Sequence, residues 1–124
     1  MRVGFYQFTP QFGEVSHNLD RVVETLGQAD ADLIVLPELC VSGYQFVSQQ
    51  EVITLSESVP NGPTTQRLID LAKRRRMVIV AGLPERVVSA CYNSAVVVGP
   101  SGFIGCYRKT HLFFEETVFF TPGD

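Results

Sequence analysis

The amino-acid sequence predicts an α/β layered domain. Short, continuously apolar runs end at proline, and between them lie segments whose apolar residues recur at helical spacing. These segments follow one another in the order β-α-β-loop-α-β-β-β, which is typical of layered α/β domains and not of helical bundles. With 124 residues, 45% of them hydrophobic and 19% charged, the chain has the composition of one packed domain or of part of a larger one.

Strand and helix alternate through the first third of the chain. The first strand is predicted over Val3–Phe8, and a helix follows over Ser16–Ala29, with Ser16 as its N-cap. Leu33–Leu36 is a continuous apolar run of the kind found in strands that are buried on both faces. Pro37 has no N–H to donate and is expected to end this strand.

The middle of the chain is expected to contain a loop, a helix and a third strand. Residues 38–60 lack a clear period, apart from a short helix predicted over Glu51–Ser56. Pro63 suits the first turn of the next helix. The apolar side of that helix consists of Leu68, Ile69, Leu71 and Ala72. Met77–Leu83 predicts a third buried strand, which Pro84 is expected to end.

The last third of the chain predicts a hairpin formed by Tyr92–Val98 and Phe103–Tyr107. Pro100 suits the second position of a type I turn between these strands, and Gly102 can adopt a positive φ. The chain then reaches a turn signal at Phe119–Asp124, where another strand is expected to begin. We therefore expect these residues to be the first part of a longer domain.

The charge pattern disfavours two classes of partner. A net charge of −3 argues against nucleic acid and against an anionic membrane surface. The basic run Lys73–Arg76 coincides with the predicted end of a helix, where cations complement the helix dipole, and we prefer this interpretation to a binding patch. No apolar run is long enough to span a bilayer, and Met1–Gln7 lacks the apolar region of a signal peptide. The protein is therefore expected to be soluble and cytoplasmic.

The cysteines and histidines predict neither a disulfide framework nor a metal site. Cys40, Cys91 and Cys106 form no Cys-x-x-Cys pair and are odd in number, which favours reduced thiols. His17 and His111 are far apart in the sequence and match no metal-ligand spacing. No metal is expected.

Two charged residues that follow predicted strands are candidates for chemistry. Glu38 follows Leu33–Leu36, and ligands of open α/β sheets bind beyond the carboxyl ends of strands, so Glu38 could serve as a general base. The structural alternative is a loop cap. Lys109 follows the last strand among apolar residues, where it needs a carboxylate partner or must extend its amine to solvent. The candidate partners are Glu38, Glu115 and Glu116.

His111 and Cys40 are weaker candidates. His111 lies between Thr110 and Leu112, a setting in which a hydrogen-bonded structural histidine is more common than a general base. Cys40 lies two residues after Glu38, but no base and orienting group occur nearby at a recognisable spacing, so we favour a packing role.

Five stretches of the sequence occur in an order that characterises a known family. Leu36–Leu39 (Leu-Pro-Glu-Leu) is followed by Ser42–Tyr44 (Ser-Gly-Tyr), and later in the chain comes Tyr107–Phe113 (Tyr-Arg-Lys-Thr-His-Leu-Phe). Between these motifs lie Gly82–Arg86 and Tyr92–Ala95, which match further stretches of the same family. Together they resemble the nitrilase superfamily, the carbon–nitrogen hydrolases, and within it most resemble the small, thermostable nitrilases and amidases.

The resemblance implies a four-layer αββα sandwich, of which residues 1–124 would be the N-terminal part, and a Cys-Glu-Lys catalytic centre. Glu38 would be the general base, and Lys109 would stabilise the charge that develops on the substrate. Glu116, which lies where the family has an additional glutamate, would orient Lys109 and the substrate. Tyr44 and Phe113 are expected to line the substrate pocket. Neither a metal nor an organic cofactor is implied.

The resemblance places the nucleophile beyond Asp124, because none of the three cysteines present occupies the family position. Residues 1–124 alone are therefore expected to be inactive and to leave apolar sheet surface uncovered. The complete protein is expected to hydrolyse a small aliphatic amide or nitrile and to form a homodimer or a larger homo-oligomer.

Two other functions are alternatives to this one. The first is a noncatalytic, nitrilase-like domain that binds a ligand or partner, for which the absence of the cysteine from the complete protein would be evidence. The second is an α/β nucleotide-binding module, which has little support because Thr9–Gly13, after the first strand, is not a glycine-rich phosphate loop.

Overall fold

The computed structural model describes all 124 residues, Met1–Asp124, and confirms a mixed α/β fold. Strands and helices alternate as the sequence predicts, and one further short helix, α4, follows the last strand. The elements are β1 (Val3–Phe5), α1 (Val15–Gln28), β2 (Leu33–Val35), α2 (Gln49–Leu55), α3 (Pro63–Arg75), β3 (Val78–Val87), β4 (Ala90–Gly99), β5 (Gly102–Arg108) and α4 (Glu116–Phe119).

All five strands form one sheet in the order β1-β2-β3-β4-β5. The first three strands are parallel, and β4 and β5 are antiparallel to their neighbours. The β4–β5 hairpin has the predicted turn, in which Gly102 takes a φ of 118° and pairs with Gly99. The sheet is therefore parallel on one side and a meander on the other.

Several predicted boundaries at the start of the chain are wrong by a few residues. The first strand ends at Phe5 and not at Phe8, because β2, its partner, ends at Val35. Helix α1 begins one residue earlier than predicted, with Glu14 at the N-cap position, so Ser16 lies inside the first turn and caps nothing. The short helix α2 begins at Gln49, and its N-cap Ser48 accepts a hydrogen bond from the Glu51 backbone N–H at 3.2 Å.

Pro84 does not end the third strand, contrary to the prediction. Strand β3 continues to Val87, and Pro84 pairs with Asn93 of β4. The carbonyl of Pro84 accepts a hydrogen bond from the Glu57 N–H at 3.0 Å, so the backbone polar groups of Pro84 point away from β4. A missing N–H on that side removes no bond from the β3–β4 ladder, which is why a proline is tolerated at this edge.

One face of the sheet is covered by helices α1 and α3, which also pack against each other. Both helices present an apolar stripe to the sheet, and α3 begins at Pro63 and ends in the basic run, as predicted. The core formed between these layers consists of 17 buried residues. Its members include Leu19, Val22 and Leu26 of α1, Leu68, Leu71 and Ala72 of α3, and Ile34, Ile79, Ala81, Val96 and Val98 of the sheet.

The opposite face of the sheet, which we call the open face, is covered by helical residues only near Cys91 and Asn93, where Val52 of α2 and Glu116 of α4 lie against it. Val35 was expected to be buried on both sides of the sheet, but 40% of its surface is exposed, because only the alternate residue Ile34 faces the helices. Phe5 lies in register with Val35 on the same face and is 80% exposed. Val3, Ile104 and Tyr107 are further exposed residues of this face. No helix of the chain is both long enough and apolar enough to cross a membrane.

Residues 1–124, expressed as a separate polypeptide, are expected to self-associate through the open face, because contiguous exposed apolar surface and a sheet edge favour association. Size-exclusion chromatography with light scattering should show a concentration-dependent increase in mass, and a hydrophobic dye should bind. A monodisperse 124-residue chain that melts cooperatively without binding dye would contradict this prediction.

Candidate active site

Glu38 lies just beyond the end of β2, where the chain continues along β3 without forming regular strand. The Leu36 N–H donates to the Val80 carbonyl at 2.8 Å, and the Cys40 N–H donates to the Gly82 carbonyl at 2.9 Å. A β-carbon on Gly82 would lie 2.7 Å from the Glu38 Cα, closer than two non-bonded carbons approach. A glycine at position 82 is therefore required for the Glu38 backbone to lie directly against β3.

Lys109 follows β5 and is held through its backbone from both sides. Its N–H donates to the Asn93 carbonyl at 2.8 Å, and its carbonyl accepts from the Gly123 N–H at 2.9 Å. The side chain is 30% exposed, so its amine is partly shielded from water. The position of Lys109 thus depends on β4 and on the last residues of the chain.

Glu116 is the first residue of α4 and is only 3% exposed. The Phe113 backbone N–H donates to its Oε2 at 2.6 Å. A second apolar cluster anchors the short helix and the segment after it to the rest of the chain. The buried members of this cluster are Leu39, Phe46, Val52, Cys91 and Phe120.

The side chains of Glu38, Lys109 and Glu116 meet, as predicted, in one charged cluster. The Lys109 Nζ lies 2.9 Å from Glu38 Oε1, and 3.0 and 2.9 Å from Glu116 Oε1 and Oε2. A fourth residue, Asn93, donates from its Nδ2 to Glu38 Oε1 at 2.7 Å and to Glu116 Oε1 at 2.6 Å. Glu115, the third candidate partner of Lys109, forms no ion pair with it. The arrangement excludes the alternative in which Lys109 extends unpaired to solvent.

The electrostatics of the cluster keep two of its members charged. Burial lowers the pKa of Lys109, but hydrogen bonds to Glu116 and Glu38 outweigh burial and raise this pKa above its ordinary value. Burial raises the pKa of Glu116, but the bonds from Lys109, the Phe113 N–H and Asn93 outweigh it and leave the pKa below its ordinary value. Lys109 is therefore an ammonium and Glu116 a carboxylate at neutral pH.

Three cavities adjoin the cluster. Glu38, Asn93 and Lys109 line a cavity of about 370 Å³ on the open face, and Glu38 also lines a second one of about 380 Å³. Tyr44 lies between this second cavity and a third of about 480 Å³ that includes Glu116. Phe113, in contrast, lines none of the three, and its ring is 71% exposed. Its contact with the cluster is made by the backbone N–H.

The three thiols of the chain do not belong to the cluster. Cys40 is fully buried in the core beneath α1 and α3, which confirms its packing role, and burial raises the pKa of its thiol to about 12. Cys91 is buried in the second apolar cluster. Cys106 lies 3.7 Å from Glu85, and burial and the charge of Glu85 raise the pKa of its thiol. Neither Cys40 nor Cys106 therefore has the low pKa of a reactive nucleophile.

His111 is exposed, and its Nδ1 lies 2.9 Å from the Thr110 Oγ1. Its hydrogen bond to a neighbouring side chain agrees with the structural role that the sequence favours. No group of three or more His, Cys, Asp and Glu side chains is arranged to hold a metal ion.

A second charged group, which the sequence did not predict, lies on the helix-covered face of the sheet. Glu85 is 3% exposed and is bound by the Arg108 guanidinium through two hydrogen bonds of 2.9 and 2.6 Å. Ser94 donates to the same carboxylate at 2.7 Å, and the Arg108 guanidinium stacks 4.2 Å from the centre of the Tyr92 ring. These contacts join β3, β4 and β5. Arg108 and Ser94 are the chain neighbours of Lys109 and Asn93, whose side chains lie in the charged cluster on the open face.

The sequence does not identify Asn93 as a site residue, although Asn93 lies in Tyr92–Ala95, one of the stretches that resemble the family. The signal available in the sequence was an amide in a strand whose alternate neighbours, Cys91, Ala95 and Val97, are small or apolar. A polar side chain on an otherwise apolar strand face needs a specific partner.

Comparison with known proteins gives one family. The Carbon-nitrogen hydrolase family profile matches residues 2–124. A nitrilase of Pyrococcus abyssi is 44% identical over 127 residues, which cover 100% of this chain and 48% of that protein. An (R)-stereoselective amidase of a Pseudomonas species is 34% identical over 126 residues, which cover 100% of this chain and 45% of that protein. The chain thus spans about half the length of the curated relatives it matches.

Solved structures agree with the fold. A superfamily protein from Xanthomonas campestris, XC1258, superposes with a TM-score of 0.84 and 26% identity, covering 99% of this chain and 46% of that one. An N-terminal amidase crystallised with a Gln-Val peptide gives a TM-score of 0.86 and 26% identity, covering 98% of this chain and 31% of that one.

Replacing Gly82 with alanine is expected to displace the Glu38 backbone. The added methyl group would meet backbone atoms at 2.7–2.8 Å, so we expect a loss of about 1–3 kcal/mol in the free energy of unfolding of the full-length protein. Gly27→Ala is the matched control, because a β-carbon there meets no atom within 4 Å and alanine favours the helix by about 0.5–1 kcal/mol. Denaturant melts of both variants test this prediction, and equal stability of the two would contradict it.

Removing the Glu85 charge is expected to destabilise the full-length protein in a pH-dependent manner. The hydrogen bonds from Arg108 hold the pKa of Glu85 below its ordinary value of 4.5, so its stabilisation is complete above that pH and is lost as the pH falls through the folded value. Glu85→Gln should lower the free energy of unfolding by about 2 kcal/mol at pH 7. This loss is smaller than the roughly 3–5 kcal/mol expected on breaking a fully buried ion pair, because Arg108 keeps contact with water.

Melting temperatures measured between pH 7 and pH 3 test this pH dependence, since the difference between wild type and Glu85→Gln should shrink as the pH falls. Asp20→Asn is the control, because it removes the exposed ion pair with Arg67, and exposed pairs contribute about 0–1 kcal/mol. A Glu85→Gln effect that is as small as that of the control, or that is constant with pH, contradicts the prediction.

Proposed function

This chain belongs to the carbon–nitrogen hydrolase family, and from that premise we propose that the complete protein hydrolyses a non-peptide carbon–nitrogen bond of a small aliphatic amide or nitrile. Water is the second substrate, and ammonia and a carboxylic acid are the products. The proposed centre consists of Glu38, Lys109 and Glu116 together with a cysteine that lies outside residues 1–124.

The observation that supports this proposal is that the carboxylates of Glu38 and Glu116 accept different numbers of hydrogen bonds. Both oxygens of Glu116 accept hydrogen bonds, Oε1 from Lys109 and Asn93, and Oε2 from Lys109 and the Phe113 N–H. Glu38 accepts only at Oε1, and its side chain is 46% exposed. A saturated carboxylate orients its neighbours, whereas one with a free oxygen beside a cavity can accept a proton.

The proposal needs a nucleophile, because an amide or nitrile carbon is a weak electrophile and a thiolate attacks it more readily than water does. The thiols of Cys40 and Cys91 are buried within the two apolar clusters, and Cys106 adjoins Glu85 and not the charged cluster. We therefore place the reacting cysteine in the part of the protein that faces the cavity lined by Glu38 and Lys109.

Acylation of an amide begins with transfer of the thiol proton to Glu38. The thiolate sulfur forms a bond to the carbonyl carbon, and the electron pair of the C=O bond moves to the oxygen. Glu38 then gives its proton to the amide nitrogen, the C–N bond breaks, and ammonia leaves while the oxygen re-forms its double bond as a thioester. Glu38 ends this half of the reaction ionised.

Deacylation uses the same carboxylate a second time. Glu38 takes a proton from water, and the oxygen of that water forms a bond to the thioester carbon. The C–S bond breaks, the carboxylic acid leaves, and the thiolate recovers its proton from Glu38. A nitrile follows the same course with one additional water, which converts the first thioimidate adduct into the species that releases ammonia.

Lys109 has the charge and the position to stabilise the oxygen anion of the tetrahedral adduct. Its raised pKa means that it acts as a cation and not as a base. A well-placed donor of this kind contributes roughly 3–4 kcal/mol to transition-state stabilisation. Tyr44, between two of the cavities, is the pocket residue that the geometry favours for contact with the substrate.

The test is ammonia release by the full-length protein from a panel of small amides, nitriles and carbamoyl compounds. Glu38→Gln and Lys109→Ala are each expected to reduce kcat by about 10²–10⁴-fold, because they remove the proton acceptor and the cation of the proposed centre. The control is Lys73→Ala, an exposed lysine in the last turn of α3, which should leave kcat unchanged.

Substitution of each cysteine encoded after Asp124 completes the test, since one of them should abolish turnover while leaving the fold intact. If the complete protein lacks such a cysteine, or if Glu38→Gln retains full activity, the proposed mechanism fails. Absence of the cysteine would favour a noncatalytic binding domain of the same family, whereas full activity of Glu38→Gln would show that another group is the base.

A further inference from the structure

Asn93 is the only uncharged side chain that contacts both carboxylates of the cluster. It lies in β4, is 4% exposed, and its Nδ2 bonds to Glu38 Oε1 at 2.7 Å and to Glu116 Oε1 at 2.6 Å. We propose that Asn93 is a positioning residue that fixes Glu38 by its Oε1 and thereby leaves Oε2 as the oxygen that accepts the proton. This inference rests on the proposed function and adds to it the atom that reacts.

The orientation of the Asn93 amide follows from the charges around it. An ionised carboxylate accepts hydrogen bonds and cannot donate one. If the amide were rotated by 180°, its carbonyl oxygen would face two carboxylate oxygens with no proton between them. The NH₂ group must therefore point at Glu38 and Glu116, and its two hydrogens match the two acceptors in number.

All the internal hydrogen bonds of Glu38 are made at the same oxygen. Lys109 and Asn93 both approach Oε1, at 2.9 and 2.7 Å, and Oε2 accepts no hydrogen bond within the chain. Without Asn93, one contact from a flexible lysine would remain, and the carboxylate could rotate to present either oxygen to Lys109. With Asn93, two donors from different segments of the chain bind Oε1 and leave Oε2 free.

Asn93 itself is rigidly placed. Its carbonyl accepts the Lys109 N–H at 2.8 Å, so the same residue holds the lysine by its backbone and the two glutamates by its side chain. Its neighbour Ser94 projects to the other face of the sheet and bonds to Glu85, which Arg108 also binds. Strand β4 is thus fixed on both faces at adjacent residues.

The charged and titratable groups that face this amide come from several elements. They are Glu38 beyond β2, Lys109 after β5 and Glu116 of α4. The hydrogen bond from Asn93 is one of the contacts that lower the pKa of Glu116. Loss of Asn93 should therefore be visible both in turnover and in the titration of Glu116.

The kinetic experiment compares wild type with Asn93→Ala and Asn93→Asp in the full-length protein. Asn93→Ala should reduce kcat by about 100-fold with little change in KM, because a misplaced catalytic group costs on that order. Asn93→Asp keeps the side-chain volume but places a third carboxylate against two others, so it should lose at least as much kcat at pH 7.

A titration that needs no turnover separates this inference from the proposed function. Carboxyl carbons of ¹³C-labelled glutamate are followed by NMR, and the Glu116 signal is assigned by its loss in Glu116→Gln. Asn93→Ala should raise the pKa of Glu116 by about one unit, the size expected when a hydrogen bond to a charged group is removed. If wild type releases no ammonia from any compound, the proposed function fails, and the titration still decides whether Asn93 donates to Glu116, the contact that holds its amide group toward both carboxylates.

Asn18→Ala is the matched control, because Asn18 is also a fully buried asparagine with three hydrogen bonds, two to Gln11 and one to Val41. It should lower the melting temperature but change neither kcat beyond about two-fold nor the titration of Glu116. An unchanged Glu116 titration in Asn93→Ala, or a kcat for Asn93→Asp within about two-fold of wild type, overturns the inference.

Discussion

The site depends on one ammonium group shared between two carboxylates. Lys109 lies within 3.0 Å of oxygens from both Glu38 and Glu116, and these three residues come from the end of β2, the end of β5 and the start of α4. A partly shielded ammonium is costly without compensation, and two like charges in one place repel each other. The ammonium of Lys109 stabilises both carboxylates and offsets the repulsion between them, which explains why three distant segments converge at this point.

The sheet positions this cluster by using both of its faces. Arg108 and Lys109 are consecutive, as are Ser94 and Asn93, and successive side chains of a strand point to opposite faces. Arg108 and Ser94 bind Glu85 on the helix-covered face, while Lys109 and Asn93 bind the two catalytic candidates on the other. The hydrogen bonds of Glu85 and those of the charged cluster are thus made by adjacent residues of the chain. The buried contacts of Glu85 therefore restrict movement of Lys109 and Asn93.

Much of the fold could be predicted from local sequence, whereas the connections within the site could not. Helix α3 follows from Pro63 and the spacing of its apolar residues, and the β4–β5 turn follows from Gly102, because these signals act over a few residues. The length of β1 does not follow from its own sequence, because β1 ends where its partner β2 ends. Strand β3 also continues through Pro84, contrary to the prediction, because the Pro84 carbonyl bonds to the N–H of Glu57, a residue far away in the sequence, and not to β4.

The site shows the same division between local and distant information. Glu38 and Lys109 were recognisable because each follows a strand within a known motif, and their contact was expected from the family. Asn93 was not recognised as a site residue, because one asparagine in a strand does not show which partners face it. Its role requires the register that places Asn93 opposite Pro84 and next to Lys109, which no local pattern contains.

The pKa directions also restrict how charge can move in the proposed reaction. Lys109 stays protonated and Glu116 stays ionised, so neither of them takes up the thiol proton that the proposed reaction transfers to Glu38. With Glu38 ionised, the three groups sum to one negative charge; with the thiol proton on Glu38 they sum to zero, and the thiolate carries the negative charge. The total is the same before and after the transfer. The first step therefore moves one charge over a short distance beside a fixed cation, and it creates no new charge in a site that is partly shielded from water, where such a charge would be expensive.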